Sequence, residues 1–172
     1  MFQNMPMLRS HGPQYVLILA GDHVYRQDYS RMLAEHIAKG ADITVSCVEV
    51  PIAEAREFGV VGVDETDRIV SFLEKPKDPP PIPERPDRAF ASMGIYVFNA
   101  ELLYDVLQRD AEDKQSMHDF GKNVLPSLAS SHRLLAHRLR NSTSCRPRTT
   151  AWRSPTGATS ARWTPTGKPT WT

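Results

Sequence analysis

A chain of 172 residues, 40% of them hydrophobic, has the length of one domain and enough apolar side chains for a core. A formal charge of +1 excludes a strong field for nucleic acid or acidic partners. No run approaches the about 18 apolar residues of a membrane span, and the opening Met1-Phe2-Gln3-Asn4 lacks the basic start of a secretory leader. Cys47 and Cys145 lie far apart without metal-ligand spacing, which fits a reducing, cytoplasmic setting.

Residues 15–19 form an apolar run that reads as a buried strand and passes through Ala20 and Gly21 into Asp22. Ligands of open α/β sheets bind just beyond the carboxyl ends of strands, so Asp22 is a candidate for chemistry. A hard carboxylate oxygen there suits Mg²⁺ holding a phosphate; the plainer alternative is a turn cap. The spacing of Met32, Leu33, His36 and Ile37 predicts a helix over 29–39, ending at Gly40. A strand follows over 43–50, and this β-α-β order is that of a parallel pair with a crossover helix. Residues 54–58 read as a short helix, and strands 60–63 and 69–72 flank a polar hairpin turn at 64–67. The proline-rich 76–86 is expected as an exposed loop, because proline denies the donors that helix and strand need. A strand over 91–98 and a helix over 101–108, apolar at Leu102, Leu103, Val106 and Leu107, complete a compact α/β unit in 1–140.

Composition breaks beyond that point. Residues 141–172 hold no Asp, Glu, Val, Ile, Leu or Phe but nine Thr and five Lys or Arg, so this tail carries +5 and leaves −4 for 1–140. Such a segment buries too little apolar surface to offset its ordering entropy, and disorder is expected there. Trp152, Trp163 and Trp171 among basic residues would suit a nucleic-acid contact, but without a repeat the signal is weak and no nucleic-acid partner is expected.

Seven blocks, in order, carry a resemblance: Phe2-Gln3-Asn4, Leu19-Ala20-Gly21-Asp22-His23-Val24-Tyr25, Gln27-Asp28-Tyr29-Ser30-Arg31-Met32, Glu57-Phe58-Gly59-Val60, Phe72-Leu73-Glu74-Lys75-Pro76, Ala91-Ser92-Met93-Gly94-Ile95-Tyr96-Val97-Phe98 and His118-Asp119-Phe120-Gly121-Lys122. Over about residues 2–140 the chain resembles the bacterial glucose-1-phosphate adenylyltransferase (ADP-glucose pyrophosphorylase) family of sugar nucleotidyltransferases. The resemblance implies part of a three-layer α/β/α, Rossmann-like nucleotidyltransferase domain with a mixed sheet. It implies a parent reaction of ATP with α-D-glucose 1-phosphate to ADP-glucose and diphosphate, in glycogen biosynthesis, by a homotetramer. Asp22 then corresponds to the aspartate that binds catalytic Mg²⁺, and Gly59, Glu74, Lys75 and Ser92 to contacts with glucose 1-phosphate. Asp22 and Lys75 are the catalytic candidates.

The chemistry agrees with these residue types. Attack by a sugar phosphate on the α-phosphorus of ATP accumulates negative charge, which Mg²⁺ and an ammonium stabilise. Lys75 supplies a compact point charge; Glu74 accepts from sugar hydroxyls, Ser92 donates or accepts, and Gly59 admits a close approach. Without the resemblance Glu74 and Lys75 read as a solvated pair at a strand end, and Ser92 as a core-edge hydroxyl. Tyr96 is assigned to the core; the resemblance places the His118-Asp119 block before a helix, which implies a helix cap for Asp119, and His118 and His23 are assigned structural roles.

The family's glycine-rich triphosphate loop and its C-terminal β-helix have no counterpart in these residues, so a sugar-phosphate half without turnover is expected. A shifted reading frame accounts for the tail: codons chosen to fit residues 155–172, read one base earlier than the Thr156 codon, translate as YWRDVGTLDAYWEANMD, which resembles the family's continuation with a second metal-binding aspartate. This places a frame change between Arg140 and Ser154. The alternatives are a pyrophosphorylase for another nucleotide sugar and a non-catalytic regulatory subunit of the same family.

Overall fold

The computed structural model describes residues 1–21, 27–139, 162–163 and 169–170. After a 3₁₀ turn at Phe2–Asn4, the elements are α1 (Met5–Ser10), β1 (Tyr15–Ile18), α2 (Tyr29–Ala38), β2 (Ile43–Pro51), β3 (Gly59–Val63), β4 (Ile69–Glu74), β5 (Arg88–Asn99), α3 (Ala100–Glu112), α4 (Leu125–Leu128) and β6 (Leu134–Arg138). A 3₁₀ turn at Ala55–Glu57 precedes β3 and a π-helical turn at Phe120–Val124 leads into α4. The short strands β7 (Arg162–Trp163) and β8 (Pro169–Thr170) pair with each other. The remainder of the tail, with Cys145, Trp152 and Trp171, lies outside the described residues, as do Asp22 and His23.

The six-stranded sheet runs β4-β3-β5-β2-β6, with β1 also on β5. It is mixed: β2 pairs with β6 in parallel, and β5 runs antiparallel to β1, β2 and β3. Helices cover both faces. Met32 of α2 packs with Ile95 and Val97 on one side, while Leu103, Val106 and Leu107 of α3 and Leu125 of α4 join Phe90, Phe98 and Ile43 in the larger core on the other. Period-2 alternation along β5 feeds these two layers.

Local signals end the elements where expected. Asp28 caps α2 by accepting from the Ser30 N–H at 3.0 Å. Gly40, at φ +57°, closes the same helix with paired bonds, Ala41 N–H to His36 O at 3.0 Å and Gly40 N–H to Ile37 O at 3.1 Å.

Four expectations are corrected. β1 and β2 point the same way but are not neighbours, because β5, far later in sequence, inserts between them. The short helix expected over 54–58 is a single 3₁₀ turn. Ile37 is 51% exposed, since α2 faces the sheet through Met32 and His36. The proline loop is not wholly exposed: Ile82 is buried in the main core and bridges to Arg85.

Candidate functional site

β2 lines one edge of β5 from Arg88 to Phe98, so β1 and β3 share the other edge. They lie end to end: β1 pairs with Tyr96–Asn99 of β5, whereas β3 reaches it only at Phe90 and Ala91. Ser92 to Ile95 therefore faces a gap between the carboxyl end of β1 and the start of β3. A bulge widens it, since β5 advances from Ser92 to Tyr96 while β2 advances only from Val45 to Cys47. Gly94 occupies the bulge at φ +65°, and a Cβ there would come within 3.3 Å of the Ala20 side chain. The turn leading to Asp22 is thereby set beside the gap.

The other wall comes from β4. Gly59 and Glu74 are register partners, so close that a Cβ on Gly59 would lie 3.1 Å from Glu74 Oε2 and 3.3 Å from the Phe72 ring. Lys75 follows at φ +47°, exposed, its N–H donating to Phe58 O at 3.0 Å. The third wall is the π-helical turn. Asp119 Oδ1 accepts from the N–H groups of Gly121 at 2.8 Å and Lys122 at 3.0 Å, and Gly121 is so near β4 that an added Cβ would sit 3.4 Å from Glu74 Oε2.

Tyr96 links the three walls. Its ring stacks on Phe120 at 5.8 Å between centroids. Burial pushes its phenol upward in pKa, a bond with Ser92 opposes this, and the charges of Asp119 and Glu74 add to the rise. A neutral hydroxyl, a small hydroxyl and two carboxylates thus surround a cleft edged by glycine, with a lysine at its rim. That donor and acceptor set suits a polyhydroxyl ligand carrying a phosphate.

Of the residues expected from sequence, Gly59, Glu74 and Ser92 meet in this cleft, Lys75 stands at the end of β4 beside it, and Asp22 lies outside the described residues. Asp119 is the cap it was expected to be, and Tyr96 is a core residue at 8% exposure. What sequence reasoning missed is that both also border the cleft, together with Phe120 and Gly121. The signal available was the spacing of Ser92, Gly94 and Tyr96, which only the bulge converts into a cleft wall. Two other concavities, one beside Arg9 and Tyr104 and one between α3 and α4, lie elsewhere. Among the described residues no group of three or more His, Cys, Asp or Glu is arranged to hold a metal ion.

A polar cleft beyond a strand's carboxyl end, in a mixed sheet with helices on both faces, stands where open α/β sheets bind ligands. The chain belongs to the nucleotidyl transferase family, whose model matches residues 2–170. It is 55% identical over 141 residues to the glucose-1-phosphate adenylyltransferase of Paramagnetospirillum magneticum, an alignment covering 82% of this chain and 33% of that protein. It is 58% identical over 140 residues to the enzyme of that name from Rhodospirillum rubrum, covering 81% and 33%, and 56% identical over 142 residues to that of Nitrosomonas europaea, covering 82% and 33%. The chain thus spans about a third of the length of the curated relatives it matches. No helix among the described residues is long and apolar enough to cross a membrane.

Proposed function

We propose that this chain carries the sugar-phosphate half of a glucose-1-phosphate adenylyltransferase site, for the reaction of ATP with α-D-glucose 1-phosphate to give ADP-glucose and diphosphate. The observation that supports this most is the cross-strand pair of Gly59 and Glu74, closed by Gly121 and neighboured by Ser92, in a chain at 55–58% identity to enzymes of that name. Glu74 accepts from the hexose hydroxyls, and Gly59 lets the ring lie against the backbone. Ser92 adds one more hydrogen bond. Lys75 holds the phosphate, so that its oxygen is aimed at the α-phosphorus of ATP and the repulsion between the two anions is reduced.

Asp22 is the proposed Mg²⁺ ligand; when bound, the metal would neutralise charge on the nucleotide phosphates. Gly21, next to it, lies in the turn that follows β1, the strand that points at the cleft. The proposed setting is the cytoplasm and the proposed assembly of the whole enzyme a homotetramer.

Titration calorimetry of the purified chain with α-D-glucose 1-phosphate tests the reading. Saturable binding is expected. Lys75→Ala should weaken it roughly ten- to hundredfold, the worth of one charge-assisted hydrogen bond of about 1.5–3 kcal/mol. No saturable binding by the unmodified chain would overturn the proposal; unchanged affinity in the variant would remove Lys75 from the phosphate.

A further inference from the structure

We propose that Asp110 and His118 form a positioning clasp that sets the third wall of the sugar-phosphate cleft, an inference that rests on the functional reading above. Neither residue belongs to the cleft itself. Asp110 lies in the last turns of α3, its side chain 14% exposed, and both its oxygens are engaged by the loop that follows. Its Oδ2 lies 2.8 Å from His118 Nδ1, and its Oδ1 accepts from the Ser116 hydroxyl at 2.5 Å. Because a carboxylate only accepts, Nδ1 carries the proton in this pair. Ser116 Oγ in turn accepts from the His118 N–H at 3.0 Å.

The clasp holds His118 at φ +57°, a conformation that costs a side chain like histidine free energy unless its surroundings fix it. The next residue is Asp119, whose carboxylate caps the turn bearing Phe120 and Gly121. Asn123 Oδ1 accepts from the N–H groups of Met117 at 3.3 Å and Asp119 at 3.4 Å, which ties the loop to the same turn. The chain of contacts from α3 through Asp110, His118 and Asp119 to Phe120 is therefore continuous; it ends on Tyr96, and it sets Gly121 where an added Cβ would lie 3.4 Å from Glu74 Oε2.

His118→Leu removes the donor at similar size, whereas His118→Asn keeps a donor where Nδ1 stands and tolerates the left-handed conformation. In the purified chain the first change should speed amide exchange at Gly121 and Lys122, the two groups held by Asp119. It should also weaken α-D-glucose 1-phosphate binding roughly five- to tenfold, as loss of one such bond implies. Asp110→Ala should match His118→Leu, the double variant should be no worse than either, and His118→Asn should stay within about twofold of the original on both readouts. Original exchange rates at Gly121 and Lys122 in both breaking variants would overturn the clasp. So would faster exchange with unchanged affinity, or a His118→Asn variant as impaired as His118→Leu. If the unmodified chain binds no sugar phosphate, the functional reading fails, and amide exchange in the free protein alone decides whether the clasp sets this wall. Variants too unstable to study are replaced by Asp110→Asn, which keeps size and should shift both readouts in the same direction.

Discussion

A Cβ at position 59 would fit only if a neighbour gave way, since it would lie 3.1 Å from Glu74 Oε2 and 3.3 Å from the Phe72 ring. The nearest obstacles to a methyl group are unequal: Phe72 is buried in the core at 5% exposure and cannot yield, whereas Glu74 is exposed and can. Gly59→Ala should therefore push the Glu74 carboxylate out of place rather than unfold the sheet. Overpacking of this kind costs about 1–3 kcal/mol, and sugar-phosphate affinity should fall roughly five- to tenfold with the displaced acceptor. Chemical denaturation and calorimetry on the same variant separate the two effects. Gly21→Ala is the comparison: among the described residues an added Cβ there meets nothing within 4 Å, and its stability should stay within about 0.5 kcal/mol of the original. A Gly59→Ala protein that binds like the original would show that Glu74 does not touch the hexose.

At the scale of elements, α2 is fastened to the sheet by a buried histidine. Asn99 Nδ2 donates to Ala41 O at 3.2 Å, which leaves Asn99 Oδ1 as the acceptor for His36 Nε2–H at 3.1 Å; Nδ1 then accepts from the Thr44 hydroxyl at 2.8 Å. This neutral tautomer satisfies both nitrogens. Burial lowers the His36 pKa below its ordinary 6.5, although Asn99 and the charge of Asp42 oppose the shift. The unfolded chain thus binds the proton more readily, so the stability from neutral His36 is complete above about pH 6.5 and is lost as pH falls toward the lower folded pKa. The melting temperature should drop between pH 7.5 and 5.5, and His36→Leu should flatten that part of the profile. Equal slopes in the two proteins would refute the neutral buried histidine. The helical spacing of Met32 and His36 was legible in the sequence, and so was the stop at Gly40. That Ile37 would face solvent was not, because the width of the covered face depends on how α2 lies on β5, a strand more than 50 residues later.

Across the whole molecule the same division recurs. Runs governed by local chemistry, such as the hairpin β3–β4 and the strand leading to Asp22, were readable from residue types alone, whereas the Asp119 cap was reached through the family resemblance. The insertion of β5 between β1 and β2 was not, since strand neighbours are chosen by long-range burial and nothing in a β-α-β pattern excludes a later strand from the middle. The cleft itself follows from that insertion: two strands that share one edge of β5 leave a gap, and the bulge at Gly94 widens it. Gly59, Glu74 and Ser92 come together only because of this topology, so their proposed roles were reached through the family resemblance and not through periodicity.

Binding and turnover should separate in this polypeptide. The cleft offers two carboxylates, two hydroxyls and a neighbouring ammonium to a sugar phosphate, but the 172 residues contain no glycine-rich run whose backbone N–H groups would cradle a triphosphate. Without that cradle the α-phosphorus of ATP is not held in line with the attacking oxygen, and the gain from positioning, about 7–11 kcal/mol in favourable cases, is forfeited. The purified chain should bind α-D-glucose 1-phosphate yet form no ADP-glucose when supplied with ATP and Mg²⁺. Radiolabelled glucose 1-phosphate followed by anion-exchange separation measures this directly against an enzyme-free blank. Product formation clearly above the blank would mean that another part of these residues grips the nucleotide, and the division of the site proposed above would have to be redrawn.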